Sequence, residues 1–493
     1  YCFLLLLYAI SRQNQPFVVT EPKINIDNLD FRIDSEYFLK YYLSLEAKLD
    51  KININKISDF AYVTDGIHTS IIFDDNSNIN LLSAKSPKNN IFDLSGNKCI
   101  SKNQHIENPR TRLQKNDIII STVGTIGNVA VVDESILPAN CDRHVGIIRI
   151  KNSNYLPYYV STILNSKYGK FQSNRYTTGN VQPNLFLDKI RLIKIPYISN
   201  YFQITITDFV KKAISLLYEA KNKYKKAEQI LIDELNIKIE NDNNINIKSF
   251  NNSFGNSGRL DAEYYLPKYD SLFNELYELE KNNIKIKKVV KLKDIVDIKK
   301  SIEPGSDEYT EKGIPFIRVS DISKYIINST NIYLDRKKFN IDSLKPKKNT
   351  ILLSKDGTIG IAYKVVKDMD CITSSALLHL KIKDSDILPD YLTLVLNSFI
   401  VKMQSERDAG GSILQHWRIS EIENVVIPIL NINIQKQVEE LLQKYNVLYN
   451  QSKLLLEVAK KSVEIAIEQN EDSALKYLEE KSNEILNLNK EVI

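Results

Sequence analysis

One feature constrains this chain more than any other: it says the same thing twice. The stretch Arg32-Ile33-Asp34-Ser35-Glu36-Tyr37-Phe38-Leu39 recurs 227 positions later as Arg259-Leu260-Asp261-Ala262-Glu263-Tyr264-Tyr265-Leu266. Asp117 to Ser121, leading to Gly124-Thr125-Ile126-Gly127, returns as Thr350 to Ser354 and Gly357-Thr358-Ile359-Gly360. Leu156-Pro157 with Leu164-Asn165-Ser166 returns as Leu388-Pro389 with Leu396-Asn397-Ser398. Gln172-Ser173 and Arg175 match Gln404-Ser405 and Arg407, and Ile195-Pro196 matches Ile427-Pro428. Landmarks kept in one order at near-constant offset are the mark of a tandem duplication. The copies run over roughly 24–250 and 251–493.

Each copy opens with a strand-rich portion. Short β-branched runs on either side of Gly124–Gly127, and again of Gly357–Gly360, read as hairpins closed by structural turns. Helices are expected after Pro157 and Pro389, because proline fits a first helical turn. A long helix then closes each copy. Ile206, Val210, Ala213, Leu217, Ala220, Tyr224, Ala227 and Leu231 are spaced 4-3-4-3-4-3-4. The same spacing runs through Val438, Leu442, Tyr445, Tyr449, Ser452, Leu456, Ala459 and Val463. A heptad seam in both copies, about 40 Å long at 1.5 Å per residue, predicts that the two helices pair as an antiparallel coiled coil. The expected fold is therefore α+β, a duplicated strand-rich domain followed by a long helix. Its segments are an apolar start (1–23), a first domain (24–198), a helix (199–240) and a linker rich in Asn and Ser (241–257). A second domain (258–430), a second helix (431–470) and a charged tail (471–493), read as a frayed or partner-binding helix, complete it.

Composition removes several classes. At about 150 residues per domain, 493 residues allow roughly three domains. Four cysteines without short spacing argue against a disulfide scaffold or zinc ribbon and favour a reducing cytoplasm. Tyr1 to Ile10 is apolar but too short to span a bilayer, so no membrane role is expected. A first residue other than Met leaves room for a longer polypeptide.

Motifs for bond chemistry are missing. There is no G-x-x-x-x-G-K-[ST] for a nucleotide phosphate, no dinucleotide-binding glycine pattern, and no Pro-Pro pair of the kind adenine methyltransferases use beside a flipped base. The five histidines lack ligand spacing, so no metal site is expected. In Arg-x-Asp-x-Glu-Tyr the aspartate is expected to cap the next helix and the arginine to pair locally. No catalytic residue is assigned.

A polyanion partner fares better. The net charge of +5 from 66 Lys+Arg against 61 Asp+Glu is modest, so placement carries the argument. In the first copy the candidates are Lys85, Arg110, Arg112, Arg143 and His144, then Arg175, Tyr176, Thr177 and Asn180 in a Gly-containing loop. In the second they are Arg318, Arg336, Lys337, Lys338 and Lys355, then Arg407, Ser412, Gln415, His416 and Arg418 in the matching place. Arg, His, Gln and Asn can reach base edges, while Lys and backbone N–H groups hold phosphates.

Asp-Ile-Ile-Ile-Ser…Gly-Thr-Ile-Gly, Leu-Pro-x-Tyr…Leu-Asn-Ser, the Gly-containing loop, Ile-Pro and the heptad helix together resemble the specificity subunit of type I restriction–modification systems, over about 24–470. The resemblance implies two target-recognition domains, each reading one half of a bipartite double-stranded DNA site. The paired helices, with Val210, Leu217, Tyr224, Leu231, Leu442, Tyr449, Leu456 and Val463 on their seam, would set the gap at about one DNA turn. They would also dock DNA adenine methyltransferase subunits and, through them, restriction/translocase subunits. S-adenosylmethionine, ATP and Mg would belong to those partners, with no cofactor in this chain. Residues 103–114 and 336–347 are unlike, so the two half-sites should differ. Two other readings stand beside this one: the recognition region of a fused restriction–methylation enzyme, and a coiled-coil adaptor that binds protein.

Overall fold

The computed structural model describes residues 37–152, 154–179, 183–239, 246–282, 286–409 and 415–487. The chain forms two compact units. One holds residues up to Glu219 together with those from Val447 onward, and the other holds Ala220–Asn446.

Within the first unit a four-stranded antiparallel sheet is built from β1 (Ala61–Asp65), β2 (Ile118–Ser121), β3 (Val129–Val131) and β4 (Val145–Ile150), in the order β1-β4-β2-β3. Within the second, β5 (Val296–Lys299), β6 (Ile351–Ser354), β7 (Ala362–Lys364) and β8 (Leu377–Ile382) repeat it in the order β5-β8-β6-β7. The unbroken Ile118-Ile119-Ile120 run reflects burial on both faces of the sheet. Successive residues point to opposite faces, so Ile118, Ile120, Val129 and Ile148 pack against the helices while Ile119, Ala130, Val145 and Ile147 form a second cluster.

The repeated polar landmarks are explained by matched clamps. β3 and β7 are edge strands with backbone groups left to satisfy. The Asn165 amide donates to the Val129 carbonyl (2.9 Å) while its oxygen accepts from the Val129 N–H (3.2 Å). Asn397 does the same to Ala362, at 2.7 and 3.0 Å. Gln172 and Gln404 clamp Lys194 and Val426 in the same reciprocal way. Tyr159 donates to the Pro196 carbonyl and Tyr391 to that of Pro428. The clamps satisfy buried backbone groups from the side-chain side, and the Val129 carbonyl also accepts from the Asn90 N–H (2.8 Å).

The hairpin turns are structural, as the sequence implies. Gly124, Gly127, Gly357 and Gly360 all lie at φ between 71° and 77°. At Gly127 a side chain is doubly excluded, since a Cβ there would fall 2.8 Å from that of Ser173.

The long helices are α1 (Asn200–Leu235, 36 residues) and α2 (Ile432–Glu468, 37 residues), each about 54 Å long. In the first unit Ile206, Val210 and Ala213 share a buried cluster with Leu456, Ala459 and Val463. In the second, Tyr224 meets Tyr445 edge-on, with centroids 5.3 Å apart. Early α1 thus packs with late α2 and late α1 with early α2, which makes the pair antiparallel. Of the seam residues named above, Tyr449 is half-buried and the others are buried.

Two details differ from the sequence reading. The tail is the helix expected there, α3 (Glu471–Asn487), but it is packed rather than frayed, because Ala474, Leu478 and Ile485 form an apolar face at helical spacing and join the core of the first unit. The side chain of Asp261 does not cap the following helical turn: both its oxygens accept from Arg259, at 2.9 and 2.6 Å.

Candidate nucleic-acid interface

Antiparallel register brings particular chain ends together. In the first unit Asp65 lies opposite Gly146, and Ser121 opposite Val145, so β1 and β2 end where β4 begins. Three loops leave this edge and are tied by backbone bonds. The Thr122 N–H donates to the His144 carbonyl (3.1 Å), and the Leu185 N–H donates to the Thr122 carbonyl (2.9 Å). The result is an open cleft of about 380 Å³ lined by Asp65, His68, Thr122, Arg143, His144 and Phe186, among others.

The second unit builds the same edge. The Lys355 N–H donates to the Ala376 carbonyl (2.9 Å), and the Trp417 N–H donates to the Lys355 carbonyl (2.8 Å). Asp356 and Gly357 pair with His416 and Gln415 as a short antiparallel ladder.

A carboxylate organises donors at each edge. Asp65 binds Arg110 (2.6 Å) and His68 (2.5 Å). Asp356 binds Lys355 and, through His416 Nδ1, an exposed imidazole at 2.9 Å. Burial by itself would raise both aspartate pKa values, but these partners outweigh it and lower them. Both carboxylates are therefore ionised at neutral pH and act as fixed acceptors that orient donors.

The sequence candidates fall into three groups. Lys85, Arg143, Lys337, Gln415, His416 and Arg418 are exposed, and His144 is 44% exposed. Others are engaged on the surface. Arg110 is held by Asp65, Arg112 donates to the His105 carbonyl (2.7 Å), Arg336 pairs with Asp370 (2.8 Å), Lys338 pairs with Glu308, and Arg318 lies 3.9 Å from Asp321. The Lys355 ammonium is largely covered where it meets Asp356. The third group is turned inward. Arg175 is 6% exposed, pairs with Glu46 (2.6 Å) and lies 4.0 Å from the centroid of the Tyr37 ring. Arg407 pairs with Asp408 and lies over the Tyr264 and Phe273 rings. Tyr176 is half-buried near Tyr37, and the Thr177 hydroxyl donates to the Ser173 carbonyl. Asn180 and Ser412 lie outside the described residues.

Sequence reasoning passed over Asp65, His68, Phe186 and Glu303. No sequence pattern marked His68 and Glu303 as equivalent: each follows an isoleucine, Ile67 or Ile302, whose bridge to the matching Asp142 or Ser374 exists only in the fold. Among the described residues no group of His, Cys, Asp and Glu could hold a metal ion, and no helix is long and apolar enough to cross a membrane.

A module present twice, each copy carrying polar loops at one edge of its sheet and its own part of the helix pair, defines a duplicated recognition protein. The type I restriction modification DNA specificity domain matches residues 50–229 and again 285–458, more than half of the chain, and the chain belongs to that family. Among solved structures it is similar to a type I restriction-modification S subunit from M. genitalium, at 12% identity and TM-score 0.39, covering 85% of this chain and 96% of that one. It is also similar to the HsdS subunit from Thermoanaerobacter tengcongensis, at 13% identity and TM-score 0.28, covering 85% and 97%. A comparison with curated proteins returns no match.

Proposed function

We propose that this chain is a non-catalytic DNA specificity subunit that reads an asymmetric, two-part duplex site and presents it to methyltransferase and restriction subunits. One observation carries the reading: the two modules share a backbone frame at the loop-bearing sheet edge yet differ in the side chains placed there. Two identical readers would favour a palindromic target, and two unlike readers favour an asymmetric one. The antiparallel helices α1 and α2 serve as the ruler between half-sites, and S-adenosylmethionine, ATP and Mg act on the partner subunits. Exposed donors such as Arg143, His416 and Arg418 are the proposed base-edge contacts, with Lys85 and Lys337 on phosphates. Arg175 and Arg407 are instead proposed each to tie together the elements of its own module.

The test is methylation mapping. The chain is co-expressed with its methyltransferase subunit and modified adenines are located genome-wide. A two-part motif with a fixed gap, lost when the chain is omitted, is expected. A methyltransferase that keeps its motif without the chain would overturn the reading. DNA affinity should also fall steeply with salt as counterions are released.

A further inference from the structure

The two loop frames can be superposed residue by residue through their hydrogen bonds. The Thr122 N–H bond to the His144 carbonyl matches the Lys355 N–H bond to Ala376, and the Leu185 bond to Thr122 matches that of Trp417 to Lys355. The bridge from Ile67 to Asp142 matches the bridge from Ile302 to Ser374. Phe186 and Arg418 both stand at the N-cap of the next short helix, Leu187–Leu192 or Ile419–Glu423. These anchors are backbone bonds, so they hold the frame whatever side chains the positions carry.

Three positions project from this frame with accessible side chains. The first, one residue after the bridging isoleucine, is His68 (58% exposed) in one module and the exposed Glu303 in the other. The second, just before the carbonyl that receives the strand-end N–H, is the exposed Arg143 or the half-buried Ser375. The third is Phe186 (52% exposed) or the exposed Arg418. Each swap changes hydrogen-bonding class: a ring that can donate becomes an obligate acceptor, a five-donor fork becomes a small hydroxyl, and an apolar ring becomes a donor fork. The first position is also buttressed in both modules. Asp65 holds His68, while Glu303 Oε2 accepts from the Ser375 N–H (3.2 Å) and hydroxyl (2.8 Å).

We infer that the three frame positions His68/Glu303, Arg143/Ser375 and Phe186/Arg418 set the base sequence of each half-site. The inference rests on the proposed DNA-reading function and names the residues that carry it. A held carboxylate is an acceptor-only reader, which suits the N4 amino group of cytosine in the major groove, whereas arginine suits O6 and N7 of guanine. Glu303 therefore calls for a G·C pair with cytosine on the contacted strand. The first module combines a donor at Arg143 with the apolar Phe186, whose ring suits a thymine methyl group.

The experiment selects binders from a randomised double-stranded DNA library, using the full chain in complex with its methyltransferase subunit. Wild type should return two unlike half-sites. Glu303→Gln should convert one position of a single half-site from cytosine to adenine, since an amide can pair with adenine N6 and N7. The shift expected for a good bidentate contact is roughly 5- to 150-fold in preference. Arg143→Ser should relax one position of the other half-site and leave the first half-site and the gap unchanged. Both side chains are exposed, and circular dichroism checks that each variant folds. If wild type selects no motif, the DNA-reading function itself fails. If wild type selects a motif that both folded variants retain unchanged, the three-position inference is overturned while the function stands.

Discussion

The Arg175 guanidinium lies 4.0 Å from the centroid of the Tyr37 ring, and the same relationship recurs between Arg407 and Tyr264 at 5.0 Å. The pair joins the opening motif of each copy to the helix some 140 residues later. Two landmarks that repeat in the sequence are thus two halves of one contact. Arg175→Lys should keep the charge yet lose the planar stacking and fork geometry. We expect a destabilisation of about 1–2 kcal/mol, read by chemical denaturation, with the selected DNA motif unchanged. An altered motif would make Arg175 a reader after all.

The edge-strand clamps predict a local effect. Asn165→Ala leaves the Val129 N–H and carbonyl without their side-chain partner in a buried place. An unmade buried hydrogen bond costs about 1–3 kcal/mol, so amide exchange at Val129 should accelerate by one to two orders of magnitude. Asn397→Ala should do the same at Ala362. Protection unchanged in both variants would refute the clamp.

Turn glycines separate two causes of strain. Gly124 and Gly127 both lie at φ 71°, but a Cβ at Gly124 meets nothing within 4 Å whereas one at Gly127 meets Ser173 at 2.8 Å. Gly124→Ala should cost about 1–2 kcal/mol from the left-handed backbone alone. Gly127→Ala should cost measurably more in the same melting experiment, because overpacking adds to the strain.

Acid should loosen the end of α2. Burial alone would raise the Glu468 pKa, but Lys48, Lys167 and the Tyr168 hydroxyl outweigh it and hold the carboxyl at about 2, below its ordinary 4.5. A depressed folded pKa contributes stability that is fully present above about 4.5 and is lost as pH falls towards 2. The melting temperature of wild type should therefore drop between pH 5 and pH 3 more steeply than that of Glu468→Gln. Parallel pH profiles would show that the three partners do not hold the carboxylate.

The Tyr224–Tyr445 edge contact at 5.3 Å should register as coupling. In a Tyr224→Leu and Tyr445→Leu double-mutant cycle we expect about 0.5–1.5 kcal/mol. Additive losses would mean that the rings pack independently.

What the sequence determined by itself is everything carried by periodicity and repetition. The duplication, the β-branched runs of the sheets, the glycine turns and the heptad seams can be read directly, because each depends on spacing within a short window. The candidate interface was only partly legible. Arg143, His416 and Arg418 stand out by residue type, yet Arg175 and Arg407 stand out equally and turn inward. Tertiary structure alone decided which arginines meet rings and which meet solvent, since Tyr37 and Arg175 lie far apart in the chain and no local pattern links them. It also decided that Glu468 reaches Lys48 across 420 positions, that the tail helix packs into the core of the first unit, and that Glu303 stands where the other module has His68. Those outcomes depend on contacts between groups far apart in the chain, which only the folded path of the backbone brings together, and no local pattern of residues encodes that path.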